Sequence, residues 1–190
     1  MLTNVYIDGT NLYYGALRGT PHKWLDPRRM IELVFPHDEI QVIHYFTSAV
    51  RSVPTDPAAP IRQQAYIRAL RSMPGVVVHL GIIRGRGSLR EKMTDVALAT
   101  RLVADASQHR FEKGIVVSND ADFVPAIICV RSEFGADVAV LNPAIRRRTQ
   151  GDLETAATYV RKLRPIHVAS SPLPSPLRDE IGLITKPVDW

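Results

Sequence analysis

The sequence predicts an α/β domain in which helices cover both faces of a mostly parallel sheet. Two observations support this fold class. Short runs rich in β-branched residues alternate with longer stretches of helical periodicity, which is typical of βαβ units. The short runs are also almost continuously apolar, as expected for strands that are buried on both faces. With 190 residues, the chain is long enough to bury a substantial core in a single domain.

Strands and helices can be assigned in order along the chain. Five strands are predicted from apolar runs: residues 4–8, 40–49, 76–83, 114–118 and 137–142. Six helices are predicted from helical spacing or capping signals: residues 10–17, 27–35, 61–73, 93–109, 122–134 and 152–163. Asp26 is a natural N-cap for the second helix, and Pro27 suits its first position. Gly135 is a typical C-terminal stop for the fifth helix.

The composition changes at Pro165, where the chain becomes rich in serine and proline. We therefore expect one domain over residues 1–164 and an extended C-terminal segment over residues 165–190. Several aliphatic residues make this segment too apolar for a free linker: Leu173, Leu177, Ile181, Leu183 and Ile184. We expect the segment to pack across the domain or across a partner in a homodimer.

The charge balance favours a polyanionic partner. Lys and Arg number 24 and Asp and Glu number 19, which gives a net charge of +5. A basic surface attracts polyanions, nucleic acid first among them. No apolar run approaches the ~20 residues of a membrane-spanning helix, and the N-terminus lacks the basic region and cleavage motif of a signal peptide. Since Cys129 is the only cysteine, no internal disulfide or cysteine-based zinc site can form, and we expect a cytoplasmic protein.

Carboxylates follow two of the predicted strands. Asp8 ends the first strand, Asp120 and Asp122 follow the fourth, and Asp95 lies in the first turn of the helix after the third. In parallel sheets, ligands bind beyond the carboxyl ends of the strands, where the strand order changes direction. Carboxylates crowded there repel one another and require a cation. Oxygen ligands favour Mg²⁺ or Mn²⁺ over zinc.

Each of these carboxylates also has a purely structural alternative. Asp8 could close its strand through an Asx-turn, and Asp95 could favour the helix dipole. Asp120 or Asp122 could be the N-cap of the helix that follows. For each residue alone the structural role is the commoner one. Their combination, with an Asp-x-Asp pair beside a second strand end, is more than capping requires and favours a metal site.

A basic loop leads into the helix that carries Asp95. Its positive residues are Arg84, Arg86, Arg90 and Lys92. A solvated charged loop is the simplest explanation, but its connection to the acidic cleft favours binding of a phosphate backbone. Three consecutive arginines at 146–148 follow the fifth strand at the same edge of the sheet and could contribute in the same way.

Three segments resemble the motifs of a known family. They are residues 6–11 (YIDGTN), 92–99 (KMTDVALA) and 117–125 (VSNDADFVP). In this order and spacing they resemble the NYN domain family, the LabA group of PIN-like ribonuclease domains, from the start of the chain to about Leu163. The resemblance implies a Rossmann-like three-layer sandwich with sheet order 3-2-1-4-5. It also implies cleavage of RNA, as an endonuclease that depends on Mg²⁺ or Mn²⁺.

The resemblance also implies roles for individual residues. Four carboxylates would bind metal directly or through water: Asp8, Asp95, Asp120 and Asp122. Asn11 would orient Asp8 or the substrate phosphate, and Lys92 would lie near the scissile phosphate. Three residues would bind substrate around the pocket floor: Thr10, Ser118 and Asn119. The implied reaction is in-line attack of metal-activated water on the phosphodiester.

Two positions depart from the family pattern. Relatives often carry an acid where this chain has Arg101, and an aspartate where it has Thr158. Arg101 is expected to pair with Asp105 at i+4 on a solvated helix face. Loss of these acids leaves a second function open, namely an RNA-binding or regulatory module with weak catalysis. A third alternative, a small-molecule enzyme that uses the same crevice, is disfavoured because the sequence lacks a cofactor fingerprint.

Overall fold

The structure, a computed structural model, describes residues 1–81, 89–188 and 190, with side chains 89–93 outside the description. Its centre is a six-stranded sheet in the order β3-β2-β1-β4-β5-β6, with all neighbours parallel. The strands are β1 (Leu2–Asp8), β2 (Glu39–Ser48), β3 (Val76–Gly81), β4 (Lys113–Val117), β5 (Asp137–Asn142) and β6 (Tyr159–Lys162). The predicted α/β class and the order 3-2-1-4-5 are confirmed, with β6 added beside β5.

Helices lie on both faces of the sheet. They are α1 (Gly9–Leu12) with a π-helical turn at Tyr13–Leu17, α2 (Pro27–Val34), α3 (Ala59–Arg71), α4 (Leu89–Ser107), α5 (Val124–Glu133) after a 3₁₀ turn at Ala121–Phe123, α6 (Gly151–Ala156) and α7 (Pro165–Ala169). Within the described part of the chain, no helix is both long and apolar enough to cross a membrane. As predicted, Asp26 caps α2 through the backbone N–H of Arg29, and Gly135 follows α5 with a positive φ of 66°.

Two apolar cores flank the sheet, and β1 contributes to both. Val5 and Ile7 lie in the core under α1, α2 and α3, whereas Tyr6 lies in the core under α4, α5 and α6. Successive side chains of a strand point to opposite faces, so a strand between two helical layers needs large apolar or aromatic residues at every position. This requirement explains the nearly continuous apolar runs of the sequence.

The last predicted helix is wrong in its second half. α6 ends at Ala156, and residues 159–162 form β6, which pairs in parallel with β5. Ala157 leaves the helical conformation, and the Thr158 backbone N–H then donates to the Val138 carbonyl at 2.7 Å. Aromatic and β-branched residues follow at Tyr159 and Val160, and such residues suit a strand better than a helix. The open edge of β5 therefore determines the conformation of this segment.

Residues 165–188 lie against the helical layer formed by α2 and α3. They include α7 and a short antiparallel pair, β7 (Leu177–Arg178) and β8 (Leu183–Ile184). The Leu173 backbone N–H donates to the Trp24 carbonyl at 2.9 Å, and Leu173 is buried. An ion pair joins Arg68 of α3 to Asp179 at 2.6 Å. Leu173, Leu177 and Ile184 thus pack against the core of the same polypeptide chain, whereas Ile181 and Leu183 are exposed.

Asp105 of α4 is the centre of a buried polar cluster. Its side chain is 1% exposed and accepts hydrogen bonds from the Tyr6 hydroxyl at 2.9 Å, Arg101 Nε at 2.9 Å and Arg110 Nη1 at 3.1 Å. The predicted pair of Arg101 and Asp105 is confirmed. Its predicted location on a solvated face is wrong, because Asp105 faces the sheet. Arg101 is therefore occupied in neutralising a buried carboxylate.

Two histidines extend this cluster across the sheet. His44 of β2 is buried, with Nε2 3.4 Å from Asp105 Oδ2 and Nδ1 3.0 Å from His79 Nε2. Burial and, to a smaller extent, the charge of Arg101 lower the pKa of His44 to about 4, and Asp105 opposes the shift. His44 is thus neutral in the folded protein around pH 7.

We expect the free energy of unfolding to decrease as the pH falls from about 7.5 to about 5. The pKa of His44 is about 4 in the folded protein and near 6.5 as its ordinary value. Between these values the unfolded chain binds more protons, so acid favours unfolding. Thermal melts of wild type and His44→Gln at both pH values test this. The variant should lose less stability on acidification, and equal losses would contradict the assignment.

Candidate functional site

Asp8 lies at the carboxyl end of β1, where the sheet order changes direction. Ile7 of β1 is in register with Val117 of β4, so Asp8 and Ser118 follow neighbouring strand ends. The Asp8 side chain is held at both oxygens: Oδ1 accepts from the Asn11 backbone N–H at 2.9 Å, and Oδ2 accepts from the Ser118 hydroxyl at 3.1 Å. Asp8 is only 6% exposed, so these bonds fix its orientation.

The surroundings of Asp8 disfavour its charged form. Burial raises the pKa of Asp8, and the negative charge of Asp120 raises it further. The hydrogen bonds from Asn11 and Ser118 oppose the shift, although they are the smaller effect. Among the ion pairs that the described residues form, none involves Asp8. A positive charge beside Asp8 would therefore stabilise the carboxylate.

The Asp-x-Asp segment is connected to Asp8 through Ser118. The Asp120 backbone N–H donates to Ser118 Oγ at 3.1 Å, so this hydroxyl bridges the two strand ends. Asp120 Oδ1 accepts from the Asp122 backbone N–H at 3.0 Å and caps the 3₁₀ turn. The capping role considered from sequence is therefore real for Asp120. It occupies one carboxylate oxygen, and Asp122 itself is exposed.

A network of amides forms the floor between these strands. Asn11 Oδ1 accepts from the Asn119 backbone N–H at 3.1 Å. Asn119 is held from the other side by Gln150, whose backbone N–H donates to Asn119 Oδ1 at 3.1 Å and whose Nε2 donates to the Asn119 carbonyl at 2.8 Å. Asn11 thus fixes two residues: its backbone N–H holds Asp8, and its side-chain oxygen holds Asn119. Gln150 was not foreseen, because a glutamine in a loop has no sequence signature.

Gly9 lets α1 begin directly beside β2. A Cβ atom at this position would lie 2.6 Å from the Tyr45 ring and 2.7 Å from the Phe46 carbonyl oxygen, which is closer than side chains are found. Any larger residue would push Asp8 and Asn11 away from the strand ends. The glycine of the YIDGTN motif is therefore required by close packing.

Asp95 lies near the start of α4, which begins at the same edge of the sheet. Thr94 Oγ1, one residue earlier, is 2.9 Å from Ser48 Oγ at the end of β2. Asp95 is half-buried. Among the side chains that the structure describes (residues 1–81, 94–188 and 190), no three aspartate, glutamate, histidine or cysteine residues are arranged to hold a metal ion. The structure thus brings Asp8 and Asp120 together through Ser118 but does not show a four-carboxylate cluster.

The predicted basic loop contributes no described contacts. Arg84 and Arg86 lie outside the described residues, as do the side chains of Arg90 and Lys92. Thr10 is described and lines a cavity on the β2 side of α1.

A basic groove adjoins the amide floor. It is a cleft of about 1090 Å³ that is lined by Asn11 and Asn119 and by three arginines, Arg18, Arg146 and Arg147. The Arg18 guanidinium lies over the Tyr14 ring, 5.4 Å from its centroid. The arginines at 146 and 147 were expected at this edge, whereas Arg18 was missed because an isolated arginine has no pattern.

The sheet order and the polar residues at its switch point define a Rossmann-like α/β domain of nuclease type. The profile of the NYN domain matches residues 2–164, and the chain belongs to this family. NYN domains are part of the PIN-like nuclease superfamily. The resemblance inferred from the three motifs is thereby confirmed.

Two further similarities were found. One relative is 6-hydroxy-3-succinoylpyridine 3-monooxygenase HspA from Pseudomonas putida (strain DSM 28022 / S16), 28% identical over 205 aligned residues. The alignment covers 84% of this chain but 64% of that relative, which is less than two thirds of its length. The other is a crystal structure of a protein of unknown function, VPA0982 from Vibrio parahaemolyticus RIMD 2210633. It superimposes with a TM-score of 0.62 at 19% identity, covering 96% of this chain and 95% of that one, and it supports the fold alone.

We expect Ser118→Ala to lower the free energy of unfolding by about 1–3 kcal/mol. The substitution leaves a buried Asp8 oxygen and the Asp120 N–H without their shared partner, and unsatisfied buried groups cost about that much. Urea denaturation measures the change. Ser107→Ala, at the exposed end of α4, is the control and should change stability by no more than about 0.5 kcal/mol. Similar effects of the two substitutions would show that Ser118 does not organise the site.

Proposed function

We propose that this protein is a ribonuclease that hydrolyses RNA internally with the help of Mg²⁺ or Mn²⁺. The observation that carries the proposal is Asp8, a buried carboxylate at the switch point that is fixed at both oxygens and lacks an ion-pair partner among the described residues. Family membership supports nuclease chemistry, and the geometry supports Asp8 as its centre.

The donor atoms around Asp8 suit a hard divalent cation. All are oxygens: the carboxylates of Asp8 and Asp120 and the hydroxyl of Ser118. Mg²⁺ commonly binds through only one or two carboxylates and completes its shell with water and phosphate oxygens, so it does not need three protein ligands. Asp122 and Asp95 are proposed as further ligands, directly or through water. When bound, such an ion activates water and offsets charge on the phosphodiester.

The residues of the chain would position the reacting groups. Ser118 and the Asn11 backbone hold Asp8 in one orientation, and Asn119 with Gln150 forms a rigid floor below the phosphate. In the proposed reaction, water attacks the phosphorus in line with the leaving oxygen and loses a proton, while the P–O bond to the leaving oxygen breaks and that oxygen takes up a proton from solvent. Lys92, with Arg84, Arg86 and Arg90, is proposed to bind the phosphates on the α4 side.

The basic groove is proposed to hold the RNA backbone. Arg18, Arg146 and Arg147 line a cleft that reaches Asn11 and Asn119, so a strand bound there would pass the amide floor. Lysine and arginine contacts to phosphates supply most sequence-independent affinity for nucleic acid. The net charge of +5 acts in the same direction.

An RNA-binding or regulatory module with weak catalysis is the alternative. Both positions at which relatives often carry acids have structural roles here. Arg101 neutralises Asp105, and the Thr158 hydroxyl donates to Asp137 at 3.1 Å and accepts from the Val138 N–H at 3.1 Å. Neither residue supplies a carboxylate, and Thr158 lies beside the first residues of β5, at the edge of the sheet opposite Asp8.

A second candidate function is chemistry on a small aromatic molecule. It is favoured by the similarity to HspA, whose name describes a monooxygenase of a substituted pyridine. The chain spans 64% of that relative, so the similarity places this activity second to RNA cleavage.

We expect single-stranded RNA to be cleaved with Mn²⁺ or Mg²⁺ and not with EDTA. Asp120→Asn should reduce the rate by about 100-fold or more, because loss of metal ligation costs several kcal/mol in the transition state. Asparagine still caps the 3₁₀ turn, so folding is preserved. Asp152→Asn, at the exposed start of α6, is the control. If RNA binds without cleavage, the RNA-binding alternative leads; cleavage unaffected by Asp120→Asn would remove Asp120 from the mechanism.

We expect Arg147→Ala to weaken RNA binding and to reduce its dependence on salt. Removing one phosphate contact lowers the slope of log K against log salt concentration by about 1. Fluorescence anisotropy with labelled RNA in EDTA at several salt concentrations measures the slope. Arg71→Ala, on the exposed end of α3, is the control, because it has the same net charge as Arg147→Ala. Equal slopes for the two variants would show that the groove is not the RNA site.

A further inference from the structure

A second cavity lies on the other side of α1 and its π-helical turn. Its volume is about 460 Å³, and Gly9 and Thr10 form part of its wall, directly after Asp8. Its deep walls include three aromatic rings, those of Tyr45, Tyr66 and Trp190. A cavity of this size that combines aromatic walls with polar side chains, such as Lys23, Arg62 and Gln63, is typical of small-ligand sites.

The aromatic walls are held in place by other contacts. The Tyr66 hydroxyl donates to the Leu25 carbonyl at 2.9 Å. The ring of Tyr66 packs edge-on against Tyr45, with centroids 6.2 Å apart, and lies 5.5 Å from the Trp190 ring. Trp24 packs on both Tyr66 and Trp190. Because the rings are already ordered, a ligand would lose little affinity to the ordering of side chains.

One cation in the lining has no ion pair among the residues that the structure describes. Lys23 lines the cavity and forms no ion pair with any of those residues. Arg62, also in the lining, is already paired with Asp56. Within the described part of the chain, the cavity thus offers one cation that is not ion-paired.

We propose that this cavity binds a planar aromatic ring that carries an anionic group. The ring packs against Tyr66 and Trp190, and Lys23 pairs with the anion. Gly9 and Thr10 place this ring beside the Asp8 site. The base of a nucleotide and a free aromatic carboxylate share this chemistry. The inference holds with or without nuclease activity.

Intrinsic fluorescence provides a direct test. The chain has two tryptophans: Trp190 lines the cavity, and Trp24 packs against the Trp190 ring, with centroids 6.4 Å apart. The protein is titrated in EDTA with adenosine 5′-monophosphate, uridine 5′-monophosphate and nicotinate, with ribose 5-phosphate as the probe that lacks a ring. We expect saturable quenching by at least one aromatic probe and none by ribose 5-phosphate. Isothermal calorimetry confirms each affinity.

Blocking variants locate the bound ring. Ala59 lines the cavity at the start of α3, and its neighbour Ala58 does not. Ala59→Phe should weaken binding about tenfold or more, a loss of at least 1.4 kcal/mol, whereas Ala58→Phe should bind as wild type does. Ala49→Phe, at the end of β2, fills the cavity from another wall and replaces Ala59→Phe if that variant melts early.

The outcomes distinguish a nucleotide from a free aromatic acid as the ligand, and they distinguish ring binding from RNA cleavage. Quenching by nucleotides alone assigns the site to a nucleobase, and tighter binding of nicotinate assigns it to a small aromatic acid. The proposal is overturned if no aromatic probe binds, or if both blocking variants bind as well as wild type. Because the titration excludes turnover, failure here leaves RNA cleavage untouched, and failure of RNA cleavage leaves ring binding untouched.

Discussion

The site depends on the pairing of β1 with different neighbours on its two sides. β2 and β3 lie on one side of β1, and β4, β5 and β6 lie on the other side. Helices that connect parallel strands leave from opposite faces at this point, so no crossover covers the carboxyl ends of β1 and β4. Asp8 and Ser118 occupy this opening. Their contact is therefore a consequence of strand order, as is the proximity of the Asp-x-Asp segment.

Rigidity at the opening comes from backbone groups and short polar side chains. A carboxylate that is desolvated needs fixed donors or a cation. Asp8 has two such donors, from Asn11 and Ser118, and they do not restore its ordinary pKa. The chain thus holds a carboxylate in one orientation while leaving its charge incompletely compensated. The same carboxylate is the N-cap of α1 through the Asn11 N–H, so it combines a structural role with its proposed role in metal binding.

The sequence was sufficient for features that depend on local pattern. The strand at 137–142 was predicted with its observed bounds, because a fully buried strand requires uninterrupted apolar residues. The caps at Asp26 and Gly135 follow from backbone chemistry within a few residues. In contrast, β6 forms because β5 has an open edge, and the local sequence of β6 does not contain that information. The burial of Asp105 likewise depends on Tyr6 and His44, which are 99 and 61 residues distant, and helical spacing alone placed it on the surface.

The turn that follows β1 organises both sides of the opening. Asp8 caps its first residues, and the widened π-helical turn at Tyr13–Leu17 carries Tyr14 into the lining of both the basic groove and the aromatic cavity. One short segment therefore separates a surface suited to phosphates from a cavity suited to a ring, with the carboxylate at its N-terminal end. Gly9 and Gly15 allow it to lie directly on β2 and on the Pro143 backbone. Larger residues at either glycine would displace the carboxylate and both walls together, so the three features form one structural unit.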